Sequence, residues 1–94
     1  MAKIVADGNK LIACGEDIMS LAKEYNDLIN EMFTKLYKIR TTAWAGKSAD
    51  AYVSKLMSDR TELKLIGSNI NMYGKVFKNT GISINNTIRK WNNK

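Results

Sequence analysis

The sequence predicts an all-α protein: an antiparallel two-helix hairpin with a Trp-x-Gly turn, which dimerises into a four-helix bundle. Apolar residues recur at steps of three and four in both halves of the chain. There is no proline to impose a kink. The pattern is interrupted once, in the stretch RTTAWAGKS. We therefore predict one domain over residues 1–94, with helix 1 over about 8–40, a turn over 41–48 and helix 2 over about 49–90.

The first helix carries a near-heptad apolar seam. Its members are Leu11, Cys14, Ile18, Leu21, Tyr25, Leu28, Met32, Leu36 and Ile39. Asp7 or Asn9 can cap the start of this helix, and Lys38 with Arg40 complements the negative end of the helix dipole. Because Cys14 lies within the apolar seam, we interpret it as a buried small residue rather than a reactive thiol.

The second helix follows the same periodicity. Its apolar positions are Tyr52, Leu56, Leu63, Ile66, Ile70, Tyr73, Phe77, Gly81, Ile84, Ile88 and Trp91. Ser48 is a good N-cap, and Asp50 falls in the first turn, where a carboxylate is favoured. The pattern is weakest at Asp59 or Arg60. Since the connection is short, the two helices are expected to pack antiparallel.

Dimerisation follows from a second apolar set beside the seam of helix 1. This set contains Ile12, Met19, Ile29, Phe33 and Tyr37. One partner helix covers one stripe, so a lone hairpin leaves a wide apolar face in water. A second hairpin would bury that face, in a homodimer or a heterodimer. The predicted core and interface positions are Leu11, Cys14, Ile18, Leu21, Tyr25, Leu28, Met32, Phe33, Leu63, Ile70, Tyr73 and Phe77.

Three glycines lie on one face of helix 2. Gly67, Gly74 and Gly81 are spaced by seven residues. Each costs about 1 kcal/mol relative to alanine inside a helix. Two interpretations are open: close approach of a neighbouring helix, or tolerance in a helix held mainly by its packing.

The composition argues against catalysis and metal binding. The chain has no histidine, the commonest general base and metal ligand. A single cysteine forms neither an internal disulfide nor a multi-cysteine zinc site. The triplet Gly46-Lys47-Ser48 lacks the first glycine, the spacing and the preceding strand of a phosphate-binding loop. We therefore expect no enzyme activity, no cofactor and no metal.

Charge is unevenly distributed. Residues 1–62 contain nine basic and nine acidic residues, whereas residues 63–94 contain six basic residues and no acidic one, so the whole formal charge of +6 lies in the last third. Such a segment attracts nucleic acid, anionic lipid or an acidic protein, or simply forms a solvated helix face. The basic residues form no dense run, and both helices exceed those of a helix-turn-helix. Nucleic acid is therefore not an expected partner.

No export or membrane signal is evident by ordinary rules. Asp7, Glu16 and Asp17 interrupt the first nineteen residues, so no apolar signal-peptide core forms. No run approaches the ~18 apolar residues of a membrane span. These rules predict a cytoplasmic protein without stable membrane insertion.

The turn carries a family resemblance. Trp44-Ala45-Gly46, followed by Ala51 and Tyr52, lies at the only break of a helical hairpin of this length. In this the chain resembles, over its whole length, the WXG100 (ESAT-6-like) family of small type VII secretion proteins. Glycine permits the backbone turn. The Trp44 ring is interpreted either as a plug for its own hairpin or as part of an interface.

The resemblance implies export of a folded dimer without a cleaved signal, from the cytoplasm through a membrane-embedded secretion ATPase. In many members the cue is Tyr-x-x-x-Asp/Glu after helix 2 of one subunit. Here no tyrosine follows Tyr73 and no acidic residue follows Glu62. Export could instead use a divergent signal built from Trp91 and the basic tail.

The chain would then be a secretion substrate, or a co-secreted partner or targeting factor for another helical protein, such as the N-terminal domain of a toxin. The Lys- and Asn-rich composition is typical of a low-GC Gram-positive bacterium. The alternative is a cytosolic basic helical adaptor or nucleic-acid-associated protein in which Trp-x-Gly is coincidental.

Overall fold

The computed structural model describes residues 7–92, which form two long helices and no strand. Helix α1 spans Gly8–Thr42 and helix α2 spans Lys47–Asn92. Contacts between the start of α1 and the end of α2 make the pair antiparallel. The rod measures 73 × 18 × 17 Å. The predicted helical hairpin is confirmed, with a shorter turn of residues 43–46. Two charges counted in the sequence, Lys3 and Lys94, lie outside the described residues.

The helix ends follow from local hydrogen bonding. Asp7 caps α1, because its Oδ1 accepts hydrogen bonds from the backbone N–H groups of Asn9 (3.1 Å) and Lys10 (3.2 Å). The predicted cap of α2 was wrong, since Ser48 already lies within the first helical turn. The carbonyl of Gly46 accepts the first helical hydrogen bond, from the N–H of Asp50 at 3.0 Å. Gly46 therefore holds the N-cap position.

Small residues form the contact between the helices at the open end of the hairpin. Its buried positions repeat every seven residues, as Gly8, Gly15 and Ala22 on α1 and Gly67, Gly74 and Gly81 on α2. A Cβ atom at Gly74 would lie 2.7 Å from the carbonyl oxygen of Gly15. One at Gly81 would lie 2.5 Å from the carbonyl oxygen of Gly8. The two backbones therefore touch directly where side chains are missing. We call this contact the glycine seam.

The buried side chains of α1 become larger toward the turn, whereas the small Ala49 is buried at the start of α2. On α1 the glycine seam is followed by Ile29 and Phe33, which are 7% and 6% exposed. On α2 the same spacing of seven leads from Gly67 to Arg60, whose guanidinium carbon lies 5.2 Å from the centroid of the Phe33 ring. The helix continues unbroken through Asp59 and Arg60, where the apolar pattern was weakest. An arginine can occupy this position because its stem packs on apolar surface while its cation faces the ring.

The prediction of which stripe of α1 packs against α2 was wrong. Leu21 and Leu28 are 57% and 63% exposed, and Cys14, interpreted as buried, is exposed. Ile29 and Phe33, from the second apolar set, are buried, and Phe33 was also among the predicted core and interface positions. Of the predicted core and interface positions, those exposed in the single hairpin are Cys14, Leu21, Leu28, Met32, Tyr73 and Phe77. Leu11, Ile18, Tyr25, Leu63 and Ile70 are half-buried at the edge of the contact.

The error has a physical reason. The large apolar residues and the small residues of α1 both repeat every seven positions, so periodicity alone does not say which stripe faces the partner. The glycines of α2 match the small stripe of α1, because only two small-residue surfaces allow backbones to meet.

We expect Gly74→Ala to lower the free energy of unfolding by about 1–3 kcal/mol, the usual cost of overpacking. The new Cβ would lie 2.7 Å from the Gly15 oxygen and 2.9 Å from the Met19 nitrogen, both backbone atoms. Thermal unfolding followed by circular dichroism measures the change.

The control is Ser83→Ala, at an exposed position of the same helix, which should raise the midpoint slightly because alanine has the higher helix propensity. Helix propensity alone would make Gly74→Ala stabilising by about 1 kcal/mol. A raised midpoint for Gly74→Ala would therefore contradict the glycine seam.

Candidate functional site

The turn is built on one glycine and two aromatic rings. Gly46 has a backbone φ of 113°, in a region of conformational space that residues with a side chain rarely adopt. Beyond its two chain neighbours, no residue has an atom within 4 Å of where its Cβ would be. The rings of Trp44 and Tyr52 have centroids 5.9 Å apart and planes inclined at 44°. Trp44 is half-buried, Tyr52 is 63% exposed and Ala51 is exposed. The structure thus brings Trp44 and Tyr52 together at the tip of the hairpin.

Arg40 closes the turn from the α1 side. Its Nη1 donates a hydrogen bond to the carbonyl oxygen of Trp44 at 3.0 Å, and its Nη2 forms an ion pair with Oδ1 of Asp50. This contact links the last turn of α1 to the first turn of α2. Sequence reasoning had assigned Arg40 and Asp50 only to the helix dipoles. Their opposite charges on the two sides of a short turn were the signal that could have paired them.

One side of the hairpin is apolar across both helices. Relative to seam residue Ala22, Tyr25 and Leu21 lie at offsets of +3 and −1, about 60° and 100° to one side. Phe77 and Tyr73 have the same offsets from Gly74, and in an antiparallel pair equal offsets fall on the same side. We call this side the apolar face. It comprises Leu11, Cys14, Ile18, Leu21, Tyr25, Leu28 and Met32 of α1 and Leu63, Ile66, Ile70, Tyr73, Phe77 and Ile84 of α2.

The apolar face is open to solvent. Leu21, Leu28 and Tyr73 are 57%, 63% and 65% exposed. The chain exposes 7662 Å², whereas a compact monomer of 10.6 kDa exposes about 5,500 Å². Contiguous large apolar side chains on such a surface mark a site of protein association.

The opposite side is polar and basic. It holds offsets of −3 and +1 from the seam, such as Met19 and Lys23 around Ala22. We call it the polar face. It comprises Ile12, Glu16, Met19, Lys23, Asn26, Asn30 and Tyr37 of α1 and Lys64, Ser68, Asn71, Lys75, Lys78, Ile82, Asn85 and Arg89 of α2, and the seam residue Arg60 lines a groove on it.

Grooves between the helices lie on this polar face. Three of them have volumes of about 290, 370 and 300 Å³. Two cross-helix contacts bridge the same side: Lys78 Nζ lies 3.7 Å from Glu16 Oε1, and Asn85 Nδ2 donates a hydrogen bond to Asn9 Oδ1 at 2.9 Å.

Residues 7–92 contain no cluster of side chains suited to a metal ion and no helix suited to span a membrane. No group of three or more His, Cys, Asp or Glu side chains there is placed to hold a metal ion. Neither α1 nor α2 has a stretch apolar enough to cross a bilayer.

Comparison with known proteins identifies no relative of this chain. No protein-family model, curated protein or solved structure matches this chain.

We expect Gly46→Ala to lower the free energy of unfolding by about 1–3 kcal/mol, the cost of a non-glycine residue in a disfavoured backbone region. The space around Gly46 is open, so the penalty would come from the backbone alone. Chemical denaturation of the synthetic protein measures it.

The matched control is D-alanine at position 46, which adds the same methyl group but favours positive φ. It should restore or exceed the original stability. Equal losses with L- and D-alanine would contradict the described turn.

Proposed function

We propose that this protein is a type VII secretion substrate, or a co-secreted partner or targeting factor, which pairs through its apolar face with a second helical hairpin. The observation that carries the proposal is the exposed apolar face, which spans both helices of a hairpin whose tip holds Trp44-Ala45-Gly46. The resulting four-helix bundle would travel folded through the secretion ATPase.

The dimensions of the apolar face suit such a pairing. It covers residues 11–32 of α1 and 63–84 of α2, roughly 30 Å of each helix. The hairpin is 18 Å across, which gives a projected area of roughly 500 Å². Stable protein interfaces bury about 800 Å² of accessible surface per partner. The accessible area of the apolar face exceeds its projected area, because side chains protrude from the helix surface. The face is therefore large enough for a specific interface.

The occupant is a second copy of this chain or another hairpin of the same kind, including the helical domain of a toxin. Either would present two antiparallel helices with an apolar side, which pack on this face in the manner of a four-helix bundle. Burial at about 25 cal/mol per Å² of apolar surface supplies the driving force.

The turn is proposed as a contact for the partner or for the export machinery. Arg40 and Asp50 hold the tip closed, so the rings of Trp44 and Tyr52 need little ordering on binding. Trp44 is half-buried, and its exposed part, with Tyr52, is available for contact.

We expect Leu28→Glu to weaken pairing at least tenfold, because the carboxylate would be buried without a partner. Sedimentation velocity at micromolar concentration, supported by circular dichroism to verify helicity, measures the change. The matched control is Leu65→Glu. Leu65 is 56% exposed, close to the 63% of Leu28, but lies on the back of α2.

Equal weakening by both substitutions would contradict the assignment of the face. A stable, folded monomer of the unaltered chain, both alone and with its co-expressed partner, would contradict pairing altogether.

Export is tested in the source bacterium. We expect the protein in the culture supernatant only when the secretion ATPase is intact, and expect Leu28→Glu but not Leu65→Glu to reduce its export. Retention in the cells of both strains, with the partner expressed, would favour the alternative of a cytosolic helical adaptor.

A further inference from the structure

The polar face carries a regular basic stripe that the pairing leaves unused. Its positions on α2 are Arg60, Lys64, Ser68, Asn71, Lys75, Lys78, Ile82, Asn85 and Arg89. The steps between them are 4, 4, 3, 4, 3, 4, 3 and 4, the spacing of one helix side. Five of the nine positions are positively charged, and α2 contains no acidic residue after Glu62.

The charges contributed by α1 leave the face positive. Lys23 adds one positive charge, and Glu16 and Asp27 subtract two, so six positive charges against two negative ones leave +4. The Glu16–Lys78 pair is long, at 3.7 Å, and its side chains are 56% and 39% exposed. An exposed ion pair of this kind contributes little to the free energy of folding. A ligand carboxylate can therefore replace Glu16 as the partner of Lys78.

The grooves of this face offer hydrogen-bonding groups beside the cations. Asn26, Asn30, Lys64 and Ser68 line one groove. In the next, Arg60 is stacked on Phe33, and its Nε is buried with no hydrogen-bond partner among the described residues. Because the Nε is buried, a carboxylate would be bound by the two Nη groups of this guanidinium, through two parallel hydrogen bonds.

We propose that the polar face binds an acidic α-helix of a second protein, laid along the groove between α1 and α2. The intervals between the cations are those of a helix: Lys64, Lys75, Lys78 and Arg89 are separated by 11, 3 and 11 residues. At about 1.5 Å per residue these are roughly 17, 5 and 17 Å. A partner helix with acidic residues at the same intervals meets these four cations at once.

A nucleic acid fits the face less well. Duplex DNA presents one charge per about 1.7 Å, far more densely than these cations. Single strands bind largely by stacking on aromatic rings. Here Tyr37 lies at one end of the face and Phe33 is covered by Arg60.

This inference does not rest on the secretion role. The polar face lies opposite the apolar face, so a bundle formed through the apolar face leaves it open. An acidic helix would bind in the same way if the chain remained inside the cell.

The test is a titration of the ¹⁵N-labelled full chain with a synthetic helical peptide of about 30 residues, observed by NMR. The peptide carries glutamates at i, i+11, i+14 and i+25 in an Ala/Gln background. We expect shifts confined to amides of the polar face. Binding should be about fivefold weaker in Lys64→Gln/Lys78→Gln. The matched control, Lys10→Gln/Lys55→Gln, removes the same charge outside this face and should bind normally.

Several outcomes would overturn the proposal. One is equal binding of a peptide of the same composition with its glutamates scrambled. Others are equal weakening in the control variant, tighter binding of single-stranded DNA at the same amides, or no shift at millimolar peptide.

Discussion

Backbone contact along the glycine seam is the constraint on which the rest of the hairpin depends. Gly15 meets Gly74 and Gly8 meets Gly81 so closely that neither helix has room for a side chain between them. Large apolar residues on both helices are consequently displaced to the flanks. They become accessible because the interior contact is made by residues too small to bury much surface. The same constraint explains why α1 and α2 stay together at the open end without large core residues.

Because side chains are displaced to both flanks, the hairpin has two different sides. Leu21, Leu28 and Tyr73 fall on one side, and Lys64, Asn71 and Lys78 fall on the other. Apolar and basic surfaces are thereby separated on a rod only 18 Å wide. A hairpin of this design can pair through one side and bind a charged helix through the other. At the turn, the ion pair of Arg40 and Asp50 links the end of α1 to the start of α2.

Periodicity and the absence of proline were enough to predict two helices, their approximate ends and a turn near Gly46. They were not enough to orient α1, because Ala22 and Leu21 belong to two stripes with the same period. Gly8, Gly15 and Ala22 carry the spacing of seven seen in Gly67, Gly74 and Gly81. Matching the two series would have identified the seam. The Arg40–Asp50 pair and the stacking of Arg60 on Phe33 depend on side-chain geometry that a linear pattern does not contain.

The most direct test of the account is the dependence of thermal unfolding on protein concentration. If the apolar face is covered by a second hairpin, folding is coupled to association and the unfolding midpoint rises with concentration. We predict such a rise for the purified chain over a hundredfold range, with Cys14 kept reduced so that a disulfide does not mimic pairing. A cooperative transition with a constant midpoint and a monomeric mass throughout, for the chain alone and for the chain with its co-expressed partner, would contradict the account, because the apolar face would then be stable in water.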